Sequence, residues 1–140
     1  MTATLRLDIT SAEREIFSGE VEMVLATGEL GELGIAPGHT PLLTSLRPGN
    51  VSAILPGKQE EIFYISGGML EIQPYIVTVL ADTAMRAHDI DEAAALEAKM
   101  HAERKMDEQL SEVDFAKASA ELAEAIAQIQ AVRRLKKQAK

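Results

Sequence analysis

Three groups of residues in this chain have the types that chemistry needs. The first is histidine: His39, His88 and His101. A histidine metal site needs further His, Cys or carboxylate ligands at a characteristic spacing. These three show no such spacing, and the chain has no cysteine to support them. Thiol catalysis and disulfides are excluded for the same reason. The second group is the glycine-rich stretch from Gly28 to Gly34. It lacks the GxxxxGK[ST] arrangement and the following helix that a phosphate loop requires. Gly31 and Gly34 are better suited to tight turns between strands. The third group is a basic end, where Arg133, Arg134, Lys136, Lys137 and Lys140 occur with no acid among them. A helix dipole accounts for one or two cations near its C-terminus; the competing reading of five is a surface for a partner. No catalytic constellation emerges, and no metal or cofactor is implied.

The composition narrows the classes further. At 140 residues and 46% apolar, the chain can bury a real core, as one ordinary domain or a small domain with an appendage. A formal net charge of −8, 4% aromatic residues and no tryptophan argue against nucleic acid as a partner. No window approaches the roughly 18 apolar residues of a membrane span. The stretch from Met1 to Ser11 has no basic region followed by an apolar run, so it does not read as a secretory signal. The missing cysteines fit the cytoplasm.

The elements that must carry these residues change character near His88. All nine glycines and all five prolines precede it. Both residue types punctuate strands and are costly inside helices, so the first half reads as β and the second as helical. Leu5, Leu7 and Ile9 alternate with Arg6, Asp8 and Thr10. Val21, Met23 and Leu25 form a second alternating set, and Val51, Ala53 and Leu55 a third. Pro56-Gly57-Lys58 marks a turn before Ile62–Ile65. Met69, Glu71 and Gln73 alternate with Leu70 and Ile72, and Tyr75 to Leu80 is a further strand. Short strands at this spacing predict a β-sandwich or flattened barrel.

Beyond His88, Asp89 and Glu92 have capping-box spacing, and Ile90 to Met106 is rich in helix formers. Asp107 to Ser111 can turn, and Ser111 predicts a second N-cap. Phe115, Ala118, Leu122, Ala125, Ile129 and Val132 then recur at heptad spacing. Much of that stripe is alanine, so little area is buried per turn and the hairpin is expected to be marginal alone. The segment from Asp89 to Val132 carries four cations against eleven carboxylates.

The stretch GELGIAPGHTPLLTSLRPG from Gly31 closely resembles the signature of bacterial ATP synthase epsilon subunits. SAEREIFSGEVE from Ser11, YISGGMLEIQP from Tyr64 and VTVLADTA from Val77 follow the family in the same order. So do DIDEAAALEAK from Asp89 and VDFAKASAELAEAIAQI from Val113. The resemblance spans nearly the whole chain. It implies a mixed β-then-α fold: an N-terminal β-sandwich of two five-stranded sheets over residues 1–87, then a C-terminal antiparallel α-helical hairpin over 88–140. It implies a non-catalytic rotor subunit in the central stalk of the proton- or sodium-translocating synthase, on the cytoplasmic face of the bacterial inner membrane. The sandwich would bind the gamma subunit and the polar loops of the c-ring. The tail would extend toward the alpha and beta subunits and inhibit ATP hydrolysis.

Residue by residue, the resemblance sets Glu32, with Glu29 second, in the loop that faces the c-ring. It sets His39 at the gamma interface. Read from the residues alone, these are a solvated carboxylate and a partly buried histidine satisfied by backbone. Of Met69, Leu70 and Ile72, one alternating set faces the core and the other is free for gamma; Met69 is the gamma candidate. Arg133, Arg134, Lys136 and Lys137 are the inhibitory-tail candidates. Some members bind ATP through Ile/Leu-Asp-x-x-Arg-Ala, an alternative role as a nucleotide sensor. Here Ile90 and Asp91 match, but Ala94 replaces the arginine and Met85 stands where tight binders have glutamate. Alanine cannot give phosphate the charge-assisted hydrogen bonds of guanidinium.

Overall fold

The alternation read from the first strand sets its geometry. In the computed structural model, which describes residues 3–108 and 111–138, Leu5, Leu7 and Ile9 of β1 (Leu5–Ser11) all point into the core and are buried. Met1 and Thr2, Gln109 and Leu110 of the expected interhelical turn, and Ala139 and Lys140 at the basic end lie outside the described residues. Eight further strands follow: β2 (Glu15–Val21), β3 (Met23–Gly28), β4 (Gly31–Ile35), β5 (Leu42–Ile54), β6 (Glu60–Ile65), β7 (Gly68–Ile72), β8 (Ile76–Ala81) and β9 (Ala84–Arg86). A 3-10 turn at Ala87–Asp89 leads to helix α1 (Glu92–Met106) and helix α2 (Glu112–Gln138).

Strand β5 makes two sheets out of nine strands. Its first part, Leu42 to Leu46, pairs with β7, and its second, Gly49 to Ile54, pairs with β6. One layer therefore runs β2-β1-β8-β7-β5, and the other β4-β3-β5-β6-β9. Counting β5 in both gives the two five-stranded sheets that the family resemblance implied. The layers enclose one apolar core, in which Leu7, Val24, Phe63, Leu70 and Val79 are fully buried. Gly68 opens β7 at φ +143, where a Cβ would run into the Leu80 carbonyl oxygen, so only glycine fits. Arg86 closes the edge where β2 meets β6. Its guanidinium sits 5.3 Å from the Phe63 ring centre and 6.0 Å from that of Phe17, and donates to the Ile16 carbonyl at 3.1 Å.

Several expectations needed correction. Val21 ends β2 and faces the core, whereas Met23 and Leu25 lie on the outer side of β3, with Val24 and Ala26 inward. The presumed single alternating set thus spans two strands joined through Glu22. Strands β4 and β9 and the first half of β5 carry weak period-two signals and were not foreseen. The cap of α1 is Asp91, whose carboxylate accepts the Ala94 N–H at 3.2 Å, rather than Asp89, which belongs to the preceding turn. At the other helix, Ser111 accepts the Asp114 N–H at 3.2 Å, as its spacing predicted.

The helices form an antiparallel pair: Lys136 near the end of α2 reaches Glu92 at the start of α1, 2.6 Å away. Ala95 and Ala102 of α1, and Ala118, Ala125, Ile129 and Val132 of α2, are buried. Phe115, at the open end of the predicted stripe, remains half exposed. A second stripe on α2, Ala127 and Ala131, packs on Ile62 and Tyr64 from the outer face of β6. Single-stripe reading of the sequence missed it. Alanines at both contacts let one helix serve two neighbours at close range.

Candidate functional site

The two outer faces of the sandwich differ. The outer face of the β4-β3-β5-β6-β9 layer lies under α2. Among the described residues no helix packs on the outer face of the other layer, and the pleat fixes what it shows. Leu70 and Ile72 face the core, so Met69 and Glu71 face outward. Met69 pairs with Leu80 across β7 and β8, and Glu71 pairs with both Leu43 and Thr78. Met69, Leu80, Leu43 and Ile76 are 37, 55, 64 and 43% exposed. This question, open at the level of sequence, is thereby decided: the exposed set contains Met69.

Glu29 adjoins this face. It sits with Leu30 at the two-residue tip between β3 and β4, and its N–H donates to the Ser45 carbonyl at 3.1 Å. Ser45 in turn faces Met69 across the β5–β7 ladder, with its hydroxyl 3.6 Å from the Met69 sulfur. Leu30 is fully exposed. The structure therefore brings Glu29 and Met69 onto one continuous edge. Glu32 is not in the loop where the resemblance set it. It lies on β4, opposite Thr27, and lines a polar cavity of about 180 Å³ with Thr27, Asn50, Ser52, Gln130 and Arg134. His39 stands apart. Its Nδ1 lies 2.7 Å from the Thr40 carbonyl oxygen, and neighbouring Gly38 ties the turn to Pro74 at 2.6 Å.

The basic end is partly engaged. Arg134 bonds Glu60 of β6 at 2.9 Å, and Gln138 bonds the other Glu60 oxygen at 2.8 Å. Lys136 holds Glu92. Among the described residues, no carboxylate lies within 4.0 Å of Arg133 or Lys137, and both side chains are exposed.

The nucleotide-motif positions have structural occupations. Ile90 and Met85 pack against the Ile62–Tyr64 cluster under α2. The Asp91 carboxylate caps α1, and Ala94 is exposed without a donor side chain. Tyr64 is pushed up to about 12 by burial, then by the charge of Glu124, with a Gln128 hydrogen bond opposing. No cluster of three or more His, Asp or Glu able to hold a metal occurs among the described residues.

Residues 4–87 match the model of the ATP synthase delta/epsilon chain β-sandwich domain, and residues 88–133 match that of its long α-helix domain. The chain belongs to the ATP synthase delta/epsilon family. It is 58% identical over 137 residues to the ATP synthase epsilon chain of Nitrosococcus oceani, covering 98% of both chains. To that of Legionella pneumophila it is 57% identical over 140 residues, covering all of both. Among solved structures it superposes on a chain of the Euglena gracilis mitochondrial ATP synthase with a TM-score of 0.84 at 21% identity, over 93% of this chain and 82% of that one. A chain from the central stalk and c-ring of the Tetrahymena thermophila mitochondrial enzyme gives 0.67 at 10% identity, over 94% of this chain and 98% of that one. At those identities the two structures attest the fold alone. As a delta/epsilon family member, the protein is a non-catalytic subunit of the ATP synthase complex. None of its described helices is long and apolar enough to cross a membrane.

Proposed function

We propose that residues 1–87 are the assembly module of this rotor subunit and residues 88–140 its mobile regulatory tail. The outer face of the β2-β1-β8-β7-β5 layer docks on the gamma subunit. The observation that carries this is the bare apolar face bearing Met69, Leu80, Leu43 and Ile76. Apolar side chains gathered on one uncovered sheet face mark an interaction surface in a way that scattered ones do not. Glu29 and Leu30, at the tip beside that face, meet the polar loops of the c-ring, which sets the subunit peripherally on the cytoplasmic face of the bacterial inner membrane. Glu32, in the cavity beside α2, and His39, apart from the face, are candidates for these contacts by family resemblance alone. Met69→Glu with Leu80→Glu should abolish capture of gamma while leaving the far-UV spectrum unchanged. A chain ending at Ala87 should still capture gamma. Retention of gamma by the double variant would overturn the assignment of this face.

The tail inhibits hydrolysis when it leaves the sandwich and extends toward the alpha and beta subunits. Its 27-residue α2 spans about 40 Å at 1.5 Å per residue, enough for that reach. Arg133 and Lys137 are available in the docked state, and Arg134 and Lys136 become so on release. Replacing all four by alanine should accelerate ATP hydrolysis by the reconstituted complex with synthesis retained. If removal of the whole tail accelerates hydrolysis and the four-residue variant does not, the helix inhibits by bulk. Nucleotide sensing is disfavoured because Asp91 is committed to its cap and Ala94 offers phosphate nothing. Calorimetry should find no binding at micromolar ATP.

A further inference from the structure

The pleat of β7 that turns Met69 outward turns Glu71 outward too, so a carboxylate stands in the bare apolar face. Across the sheet its row reads Leu43, Glu71, Thr78, Asp8 and Ser18, on β5, β7, β8, β1 and β2. The two acids of that row differ. Asp8 is paired: the Arg6 Nε donates to it at 3.2 Å and the Ser18 hydroxyl at 2.6 Å. Glu71 is not. Among the described residues, no lysine, arginine or histidine nitrogen lies within 4.0 Å of its carboxylate. Its Oε1 accepts from the Gln73 side-chain amide at a long 3.4 Å. The cations around the face are placed elsewhere. Arg6 is held at Asp8, two strands away at about 4.8 Å per strand. Arg47 lies four residues past Leu43 on β5, about 13 Å along the strand. His39, just ahead of Pro41, has its Nδ1 at the Thr40 carbonyl, 2.7 Å away. Glu20 and Glu29, at the borders of the face, bring only more negative charge.

Glu71 also lines a shallow hollow of about 320 Å³. Pro41, Leu42, Leu43 and Ile72 give this hollow apolar walls, and Gln73 gives it a second polar group. Apolar walls beside a carboxylate suit a long basic side chain. Its methylenes leave water against the leucines while its head keeps a charged partner. We propose that this hollow receives one arginine or lysine side chain of the docking partner, with its cation on Glu71 and its stem against Leu42 and Leu43. The inference rests on the reading that this face docks gamma, and it states what gamma must bring: a basic side chain set among apolar ones. An apolar surface laid here without a cation would strip water from Glu71 and return nothing, so the same carboxylate selects against wrong partners. A second copy of the chain is disfavoured on the same ground, because a two-fold contact through this patch brings a second Glu71 to it.

The test is the affinity of the full chain for purified gamma. Glu71→Gln keeps the shape and removes the charge; it should raise the dissociation constant roughly tenfold or more, chiefly through faster dissociation. Leu43→Ala, which lowers an apolar wall, should raise it severalfold. A double-mutant cycle then finds the cation. Each arginine and lysine of gamma is replaced by alanine in turn, and one replacement should weaken binding to the native chain yet add little in the Glu71→Gln chain. If Glu71→Gln binds gamma as the native chain does, or no gamma replacement couples to it, the proposal is overturned. The double variant Met69→Glu with Leu80→Glu separates this failure from that of the face. If the double variant loses gamma while Glu71→Gln is silent, the face stands and the basic side chain falls. If the double variant keeps gamma, both fall; should it also dissolve a dimer of the free chain, the occupant is a second copy.

Discussion

The inner core of the sandwich and the seam under α2 are both buried, but they are built to different standards. In the core, Leu7, Ile9, Phe63, Leu70 and Ile72 meet across two sheets, and the edge is closed by Arg86. In the seam, two alanines rest on Ile62 and Tyr64, and a polar cavity of about 180 Å³ opens beside Arg134. The buried Asn50 side-chain oxygen in that cavity has no hydrogen-bond partner among the described residues. A region that must stay folded buries large apolar side chains. A region that must let go buries small ones and leaves polar groups within reach of water.

This contrast can be broken by experiment. The largest effect belongs to the core. Phe63→Ala leaves a cavity between the sheets and removes a face of the Arg86 contact; it should cost about 3–5 kcal/mol by denaturant unfolding. Arg86→Ala should cost about 1.5–3 kcal/mol, because the Ile16 carbonyl and Glu61 lose their partner and two rings lose their cation. The seam should behave differently. Ala131 is fully buried, and Ala131→Leu overpacks the contact by about 1–3 kcal/mol. That should release α2, read as greater acrylamide quenching of Tyr64 fluorescence in a chain whose other, exposed tyrosine is removed by Tyr75→Phe, with the sandwich midpoint unchanged. If the sandwich unfolds with the helix, the two regions are one cooperative unit and the contrast fails.

Smaller effects sharpen it. Glu60→Gln removes the ion pair with Arg134, whose side chains are 38 and 18% exposed, so docking should weaken by no more than about 1 kcal/mol and less at high salt. The smallest effect is a pH dependence of the sandwich. Asp8 in the sandwich is held below its ordinary 3.8, chiefly because the Ser18 hydroxyl donates to it at 2.6 Å, against the cost of burial and with help from Arg6. A lowered carboxyl contributes stability above that ordinary value and loses it as pH falls through the folded one. Sandwich stability should therefore fall slightly in acid, and Asp8→Asn should flatten that fall.

Much of this was legible from residues alone. The partition at His88 follows from where glycine and proline occur, since both act on the local backbone and need no tertiary context. The alternation of β1 and the cap at Ser111 are equally local, and both stand in the structure. The family was legible because its motifs run in order along the whole chain. What only the tertiary structure decided concerns neighbours far apart in sequence. Period two says that Met69 and Leu70 point opposite ways, but which is outward depends on the second sheet that β5 folds back to build. Glu32 moves from a loop to the cavity wall because β4 pairs with β3 across Thr27. The second alanine stripe of α2 has meaning only once Tyr64 lies beneath it. Glu124 is held above its ordinary value chiefly because the docked helix half-buries it, and burial is a property of the whole fold.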